Sequence, residues 1–151
     1  MVTEKTIDKM NEFLRGEVSA VETYVLALGK TKHTELVESL QQLRDDHAQR
    51  VALLRQQIRT WGGEPSEGSG VWGAFTKAVQ AGADLLGDAT AIAALEEGED
   101  HGLRMYRDAL NDIDLDDVAF KSFVSTVLLP AEQKSHDACR TLKRFAKSAA
   151  A

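Results

Sequence analysis

The chain lacks most features that would link it to a membrane, an oxidising compartment or a nucleic acid. Cys139 is the only cysteine, so an internal disulfide is impossible and folding does not depend on oxidation. No apolar run is long enough to span a bilayer, and the polar N-terminal residues lack the apolar core of a secretory signal. The formal net charge of −6 argues against nucleic acid, whose binding requires clustered Lys and Arg. We therefore expect a cytoplasmic protein with neither a membrane nor a nucleic-acid partner.

The signatures of several enzyme classes are missing as well. The chain contains no glycine-rich loop that would cradle a phosphate and no recognisable nucleophile elbow, so nothing indicates a nucleotide-binding protein or a hydrolase. The length of 151 residues favours one domain spanning residues 1–151. Because most soluble oligomers are symmetric dimers, we expect a homodimer.

With only two prolines and abundant Ala, Leu, Glu and Gln, the composition favours helix. Apolar residues recur at steps of three and four along most of the chain, which predicts four long amphipathic helices. These are residues 3–30, residues 34–61, residues 88–111, and a helix that begins after the acidic turn 112–117 and ends near residue 147. The predicted fold class is therefore an all-α four-helix bundle.

The predicted connections between these helices differ in length. A short link at residues 29–33 predicts that the first two helices are antiparallel neighbours. The long stretch from residue 62 to residue 87 predicts a crossover that runs the length of the bundle and contains a short extra helix at residues 71–86. Pro130 falls inside the fourth helix, where its ring is expected to produce a kink just upstream of Glu132 and His136.

One motif occurs twice: Gly16-Glu17 is followed by Tyr24, and Gly98-Glu99 is followed by Tyr106, each Tyr seven residues after its Glu. Both Glu residues fall within the apolar stripe of their helix. A carboxylate there must be paired, hydrogen-bonded, neutralised or bound to a metal, because burying it bare would cost several kcal/mol. The repeat predicts a site shared between helices, in which each Tyr hydroxyl bonds a carboxylate across the bundle. The glycines indicate close helix approach or room for a small ligand.

The second and fourth helices also place polar residues at core-facing heights, namely Asp46 and His47 on the second and Glu132 and His136 on the fourth. Carboxylates and imidazoles together suit iron, manganese or zinc. Asp46 and Glu132 neighbour the apolar stripe rather than forming its centre, which favours solvent-facing positions, with metal ligation as the alternative. For the two histidines the alternative to ligation is a hydrogen-bonded core position.

A bundle core with one Glu from each of two helices and a Glu-x-x-His pair from each of the other two is the di-iron carboxylate pattern. The chain resembles ferritin-like four-helix bundles, and it is most similar to a bacterial ferritin-like family known as domain of unknown function 2383. The likeness rests on the repeated Gly-Glu-x6-Tyr motif and on five further segments. These are Trp61-Gly62-Gly63-Glu64-Pro65, Gly68-Ser69-Gly70, Glu96-Glu97-Gly98-Glu99-Asp100, Met105-Tyr106-Arg107-Asp108-Ala109-Leu110 and His136-Asp137. The resemblance implies a ferritin-like fold and a metal site in the bundle core.

The chain departs from the ligand set that this resemblance implies. Counting back from Gly62, His47 stands where the second helix would carry its Glu, and Arg50 stands where it would carry its His. A permanently charged Arg cannot ligate a metal, although it can pair with a buried carboxylate such as Glu17, Glu99 or Asp46. On the fourth helix the corresponding pair is Gln133 and His136 or Glu132 and His136. A mononuclear or asymmetric site from Glu17, His47, Glu99 and His136 is compatible with these departures.

Two functions follow from these residues. The first is a metal-binding protein that holds iron, or alternatively manganese or zinc, and oxidises or stores it; Arg50 would then turn outward. The second is a metal-free bundle acting as a stress-related or interaction module, with Arg50, the carboxylates and the histidines forming a buried polar network. The direction of the Arg50 side chain therefore bears on the choice.

Overall fold

A computed structural model describes residues 2–70, Lys77 and residues 87–150. Four long helical segments form an all-α four-helix bundle, as predicted, and the described residues contain no strand. The elements are α1 (Glu4–Lys30), α2 (Thr34–Thr60), α3 (Asp88–Asn111), α4 (Val118–Phe123), a π-helical turn (Val124–Leu128) and α5 (Leu129–Ala150). The last three follow one another without a break and make up the fourth long helix. None of the described helices is long and apolar enough to cross a lipid bilayer.

Side chains that accept hydrogen bonds from backbone N–H groups begin two of the helices. Thr3 caps α1 by accepting from the N–H of Thr6, and Asp117 caps α4 by accepting from the N–H of Phe120. Such caps satisfy N–H groups that have no partner inside the first turn of a helix. Gly87 precedes α3 with a φ of 86°, a conformation that a residue without a Cβ adopts at little cost.

The described residues at the two ends of the connection between α2 and α3 contact opposite ends of α1. At its first end Gly63 lies against Ile7 near the start of α1, so closely that a Cβ on Gly63 would be 2.6 Å from Ile7 Cγ2. At its other end Asp88 accepts a hydrogen bond of 2.8 Å from the Thr31 hydroxyl, just beyond the C-terminus of α1. The two described ends of the connection therefore lie at opposite ends of α1. The short helix predicted for residues 71–86 lies, apart from Lys77, outside the described residues.

The core consists of two apolar clusters with a polar layer between them. One cluster lies toward the start of α1 and the other toward its end. The first contains Met10, Phe13, Leu14, Val51, Leu54, Ile58, Tyr106, Ala109, Leu115, Phe120, Val124 and Leu128; the second contains Tyr24, Ala27, Leu36, Leu40, Leu43, Ile92, Leu95, Cys139, Leu142 and Ala146. On each of the four long helices the residues between the two clusters include a buried polar side chain, so the polar layer crosses the bundle near mid-height.

A π-helical turn directly precedes Pro130. The N–H of Leu129 donates to the carbonyl of Val124, five residues earlier rather than four. The side chains of Phe120, Val124 and Leu128 are fully buried at steps of four residues, a spacing that drifts by about 40° per step around an α-helix of 3.6 residues per turn. The wider π turn offsets this drift and keeps the same face inward as far as Glu132. The kink predicted at Pro130 stays a prediction.

Candidate metal centre

The polar layer brings together four of the residues that the sequence singled out. Glu17 of α1, His47 of α2, Glu99 of α3 and Glu132 of α5 all point inward and are at most 5% exposed. Glu17 and Glu99 lie in the apolar registers of their helices, as predicted. Glu132 is only 2% exposed, so the solvent-facing position favoured for it was wrong. Four buried titratable groups therefore meet at one height in the bundle.

The His47 ring bridges two of these carboxylates. Its Nδ1 lies 2.6 Å from Glu17 Oε2 and its Nε2 lies 2.8 Å from Glu99 Oε1. Carboxylate oxygens accept hydrogen bonds, so both ring nitrogens carry a proton and the ring is an imidazolium. Burial opposes this charge, but Glu99 and Glu17 outweigh it and raise the pKa of His47 to about 10. His47 is thus a cation held between two anions.

The Arg50 guanidinium points into the same layer and uses all three of its nitrogens. Its Nε donates to Glu17 Oε1 at 2.9 Å, Nη2 to Glu132 Oε2 at 2.7 Å, and Nη1 to the Ser135 hydroxyl at 3.1 Å. The outward position expected under metal binding was therefore wrong, and of the partners considered Arg50 pairs with Glu17. Nη2 also lies 2.8 Å from His47 Nδ1. We assign the Nδ1 proton to Glu17, because that contact is shorter and its acceptor is ionised.

Each carboxylate of the repeated motif accepts a hydrogen bond from the tyrosine of the other copy. The Tyr24 hydroxyl on α1 donates to Glu99 Oε1 on α3, and the Tyr106 hydroxyl on α3 donates to Glu17 Oε1 on α1, both at 2.5 Å. Burial, and then the neighbouring carboxylate, raises the pKa of each tyrosine well above its usual value. The structure thus contains the cross-bundle bonds that the motif predicts.

The pKa of Glu132 is shifted in the opposite direction to the pKa values of Glu17 and Glu99. Burial, and then the charges of Glu99 and Glu17, raise the pKa of Glu132 well above its usual range, which favours the protonated form of this carboxyl group. For Glu17, by contrast, Arg50 and His47 outweigh burial and lower the pKa to about 2, and His47 likewise lowers the pKa of Glu99. Glu17 and Glu99 are thus the anions that balance the charges of His47 and Arg50.

Glu99 Oε2 is buried and accepts no hydrogen bond from the N–H and hydroxyl groups of the described residues. Glu132 lies close enough to Glu99 to contribute, after His47, to the lowered pKa of Glu99. Glu132 itself reaches this position across Gly102, where a Cβ would be 2.5 Å from Glu132 Oε1. A glycine at residue 102 thus makes room for the Glu132 carboxyl group.

A cavity of about 50 Å³ adjoins the cluster between α1 and α3. The side chains of the cluster line part of this cavity. Small residues of both helices line it as well, namely Gly16 and Ala20 of α1 and Gly98 and Gly102 of α3. Its volume suits about three water molecules or one small ligand. His101 also lines this cavity and is partly exposed.

Two of the predicted ligands lie outside the cluster. Asp46 is partly exposed and accepts a hydrogen bond from the Gln42 side chain. The His136 ring faces α3, with Nε2 2.5 Å from Asp100 Oδ1, and its other nitrogen lies 3.4 Å from Asp137 Oδ1. His136 is 8% exposed, so it does hold a largely buried, hydrogen-bonded position. The structure therefore does not bring Asp46 or His136 to the other predicted ligands.

Sequence reasoning missed Ser135, whose hydroxyl lies in the layer and accepts from Arg50. A signal for it was present in the spacing: Glu132 and Ser135 are three residues apart on α5, as His47 and Arg50 are on α2. Residues three apart on a helix share a face, so both members of each pair can reach one layer. A polar residue three positions after an inward carboxylate is the pattern to look for.

Three members of the cluster are placed so that they could hold a metal ion. Glu17, His47 and Glu132 each offer one ligand atom, and the three atoms lie within 4.8 Å of one another. Bonds from a transition metal to nitrogen or carboxylate oxygen are about 2.0–2.2 Å long, so ligand atoms around one ion lie up to about 4.3 Å apart. The three atoms therefore lie near the spacing of ligands around one ion, and the side chains would have to draw closer together to bind it.

Comparison with known families places this geometry in context. The family model of a domain of unknown function (DUF2383) matches residues 5–112, which contain α1, α2 and α3. The chain belongs to this family. The match includes Glu17, His47, Arg50 and Glu99, whereas Glu132 lies beyond it. Comparison with the curated proteins and with the solved structures gave no match. Because the description of DUF2383 states no activity, function must be argued from the site.

Proposed function

We propose that this DUF2383 protein is a ferritin-like bundle that binds iron, or a chemically similar metal ion, among Glu17, His47, Glu99 and Glu132. The observation that carries the proposal is the set of three buried ligand atoms within 4.8 Å of one another. Glu99 adds a carboxylate oxygen that accepts no hydrogen bond from a described N–H or hydroxyl group. Three carboxylates and one imidazole favour iron or manganese and also suit zinc.

Metal binding fits the charge balance of the cluster. Only a neutral imidazole nitrogen and an ionised carboxylate can ligate, so His47 would release a proton on binding a metal ion, and the raised pKa of Glu132 favours release of a second. A divalent ion that replaces these protons limits the change in the net charge of the buried layer. This matters because an uncompensated charge in the core would cost several kcal/mol.

The cavity supports a role beyond passive binding. It borders Glu17, Glu99 and Glu132, so a molecule of a few atoms inside it would lie next to an ion held by these side chains. A bound iron ion would supply one-electron chemistry and exchangeable coordination positions there. The side chains of this protein would bind the ion, limit access to small molecules and keep the carboxylates oriented through Tyr24 and Tyr106. The activity we propose is storage of Fe(II), or its oxidation to Fe(III) with O₂ or peroxide as the electron acceptor.

Elemental analysis tests the proposal. The native chain, purified without chelator and then loaded anaerobically with Fe(II), is expected to retain stoichiometric metal after desalting. Glu132→Gln is the informative variant, because glutamine imitates the protonated carboxyl group and preserves the fold but cannot become an anionic ligand. Asp46→Asn makes the same chemical change outside the cluster and should leave the metal content unchanged. Metal-free native protein, or equal metal content in both variants, would refute the proposal.

A second candidate function is favoured by the three hydrogen bonds of Arg50. In this alternative the bundle is a metal-free stress-related or interaction module, and the guanidinium and imidazolium alone balance the buried carboxylates. Its test is chemical unfolding of the native chain with Fe(II) or with a chelator. Identical unfolding free energies and no retained metal would support this alternative, whereas a higher stability with Fe(II) would contradict it.

A further inference from the structure

We propose that Arg50 determines how many ions the centre holds and restricts it to one. This inference rests on the proposed metal binding, and it concerns the number of ions rather than whether one is bound. The layer is built from two matching halves, and each half contributes one carboxylate, one tyrosine and one pair of polar residues three positions apart. In one of those pairs an arginine occupies the place where a second ligand would be needed.

The matching halves are visible in the contacts. Helices α1 and α3 contribute Glu17 and Glu99, and the tyrosine of each helix bonds the carboxylate of the other. Helices α2 and α5 contribute His47 with Arg50 and Glu132 with Ser135. A bundle that holds two ions uses one carboxylate from each of two helices and an ionisable pair at the same three-residue spacing from each of the other two. The backbone positions for two ions are therefore present, but Arg50 and Ser135 occupy two of the ligand positions.

The guanidinium takes up oxygen atoms that a second ion would need. Arg50 bridges Glu17 Oε1 and Glu132 Oε2 at 2.9 and 2.7 Å, from two different helices. Two ions in a shared carboxylate site lie about 3.5–4 Å apart and are bridged by such oxygens. The guanidinium thus occupies a bridging cation position next to the proposed ion.

The charge of the Arg50 guanidinium opposes a second ion, as does the space that the guanidinium occupies. Arginine stays protonated at any physiological pH, so this positive charge cannot be released to admit a metal ion. A second divalent cation beside it would be repelled in a layer from which water is largely excluded. The Ser135 hydroxyl accepts from Nη1 at 3.1 Å and holds the guanidinium in place. As a neutral hydroxyl, Ser135 would itself be a weak ligand.

The test counts ions per folded chain by elemental analysis and by calorimetric titration with anaerobic Fe(II). The native protein and Ser135→His, which retains Arg50, are each expected to bind one ion. The double variant Arg50→His, Ser135→His is expected to bind two, because it removes the fixed charge and supplies two imidazoles. Arg50→Lys keeps the positive charge and is expected to bind one. Circular dichroism establishes that each variant is helical before its ions are counted.

The possible outcomes separate this inference from the proposed function. Two ions in the native chain, or one ion in a folded double variant, would overturn the role of Arg50 and leave metal binding intact. No ion in the native chain would overturn the proposed function and this inference with it. If the double variant does not fold, two ions in Ser135→His or in Arg50→Lys would still refute the inference, and one ion in both would support it.

Discussion

Gly102 on α3 offers a sharp test of how the Glu132 carboxyl group is held. A Cβ at residue 102 would lie 2.5 Å from Glu132 Oε1 and 3.0 Å from its Cδ. Carbon–oxygen contacts in proteins are normally no shorter than about 3.4 Å, so Gly102→Ala must displace this carboxyl group by about 1 Å. Glu132 Oε2 accepts from Arg50 at 2.7 Å, and a movement of that size is enough to break the bond.

Two opposing effects determine the stability of this variant. Loss of a hydrogen bond to a charged group costs about 1.5–3 kcal/mol, whereas replacing a helical glycine with alanine contributes about 1 kcal/mol. The net expectation is a destabilisation of about 1 kcal/mol, which lowers the melting temperature of a chain of this size by about 3 °C. Gly29→Ala is the matched control, because Gly29 is also helical and a Cβ there would meet no atom within 4 Å among the described residues packed around it. That variant should gain about 0.5–1 kcal/mol.

The assay is urea unfolding of the chelator-treated protein, followed by circular dichroism at 222 nm. The two glycine-to-alanine variants are expected to shift the unfolding midpoint in opposite directions. If Gly102→Ala stabilises the chain as much as Gly29→Ala does, the carboxyl group has moved at no cost. The tight contact between Gly102 and Glu132 would then have no bearing on the centre.

Three further predictions concern the charges of the layer. Arg50→Ala should lower the unfolding free energy by about 3 kcal/mol in urea, because it leaves the buried Glu17 without its guanidinium partner. Tyr24→Phe removes the hydroxyl that donates to Glu99 and should cost about 1.5–3 kcal/mol in the same assay. The unfolding free energy of the metal-free chain should fall toward both acid and alkaline pH. With a pKa of about 2 against an ordinary 4.5, Glu17 contributes about 3 kcal/mol above pH 4.5, and this is lost as the pH falls toward 2. His47, raised from 6.5 to about 10, contributes fully below pH 6.5 and loses its contribution as the pH rises through 10.

Each of these predictions has a control variant or an outcome that would contradict it. Arg44→Ala removes an arginine that pairs with Asp45 at the surface, and it should change the stability by less than about 1 kcal/mol. A similarly small loss in Arg50→Ala would mean that the buried carboxylates do not need the guanidinium. For Tyr24→Phe, an unchanged midpoint would contradict the cost assigned to its hydroxyl. Glu17→Gln should flatten the acid limb of the pH profile, and an unchanged limb would assign that dependence to other groups.

Much of this layer could be predicted because Glu17 and Glu99 lie on long, uninterrupted helices. There the spacing of apolar residues fixes which side chains face inward, and a Tyr seven residues later lies two turns away on nearly the same face. The same spacing does not predict which group balances the charge of a buried carboxylate. An ion and an arginine are both compatible with the pattern, and only the packing of α2 against α1 and α5 turns Arg50 toward Glu17 and Glu132.

The fourth helix shows a different limit of pattern reasoning. A regular α-helical register favoured His136 over Glu132 as the inward ligand, although residues four apart share a face. The π turn at Val124–Leu128 changes the rotation of everything that follows, so Glu132 enters the layer and His136 faces Asp100 on α3. Pro130 signals an irregular helix in the sequence, but the type of irregularity depends on which residues the neighbouring helices leave room to bury.

The reciprocal tyrosine bonds have a mechanical consequence. Tyr24 and Glu17 lie seven residues apart on α1, a rise of about 10 Å, and each is tied to the opposite member of the pair on α3. Two ties, anchored seven residues apart on each helix, oppose rolling of either helix about its axis and sliding past the other more strongly than a single tie would. Separation of α1 from α3 must therefore break both bonds together. The amide protons on these two helices should exchange with solvent in one cooperative opening event, at the same rate on both sides of the cavity.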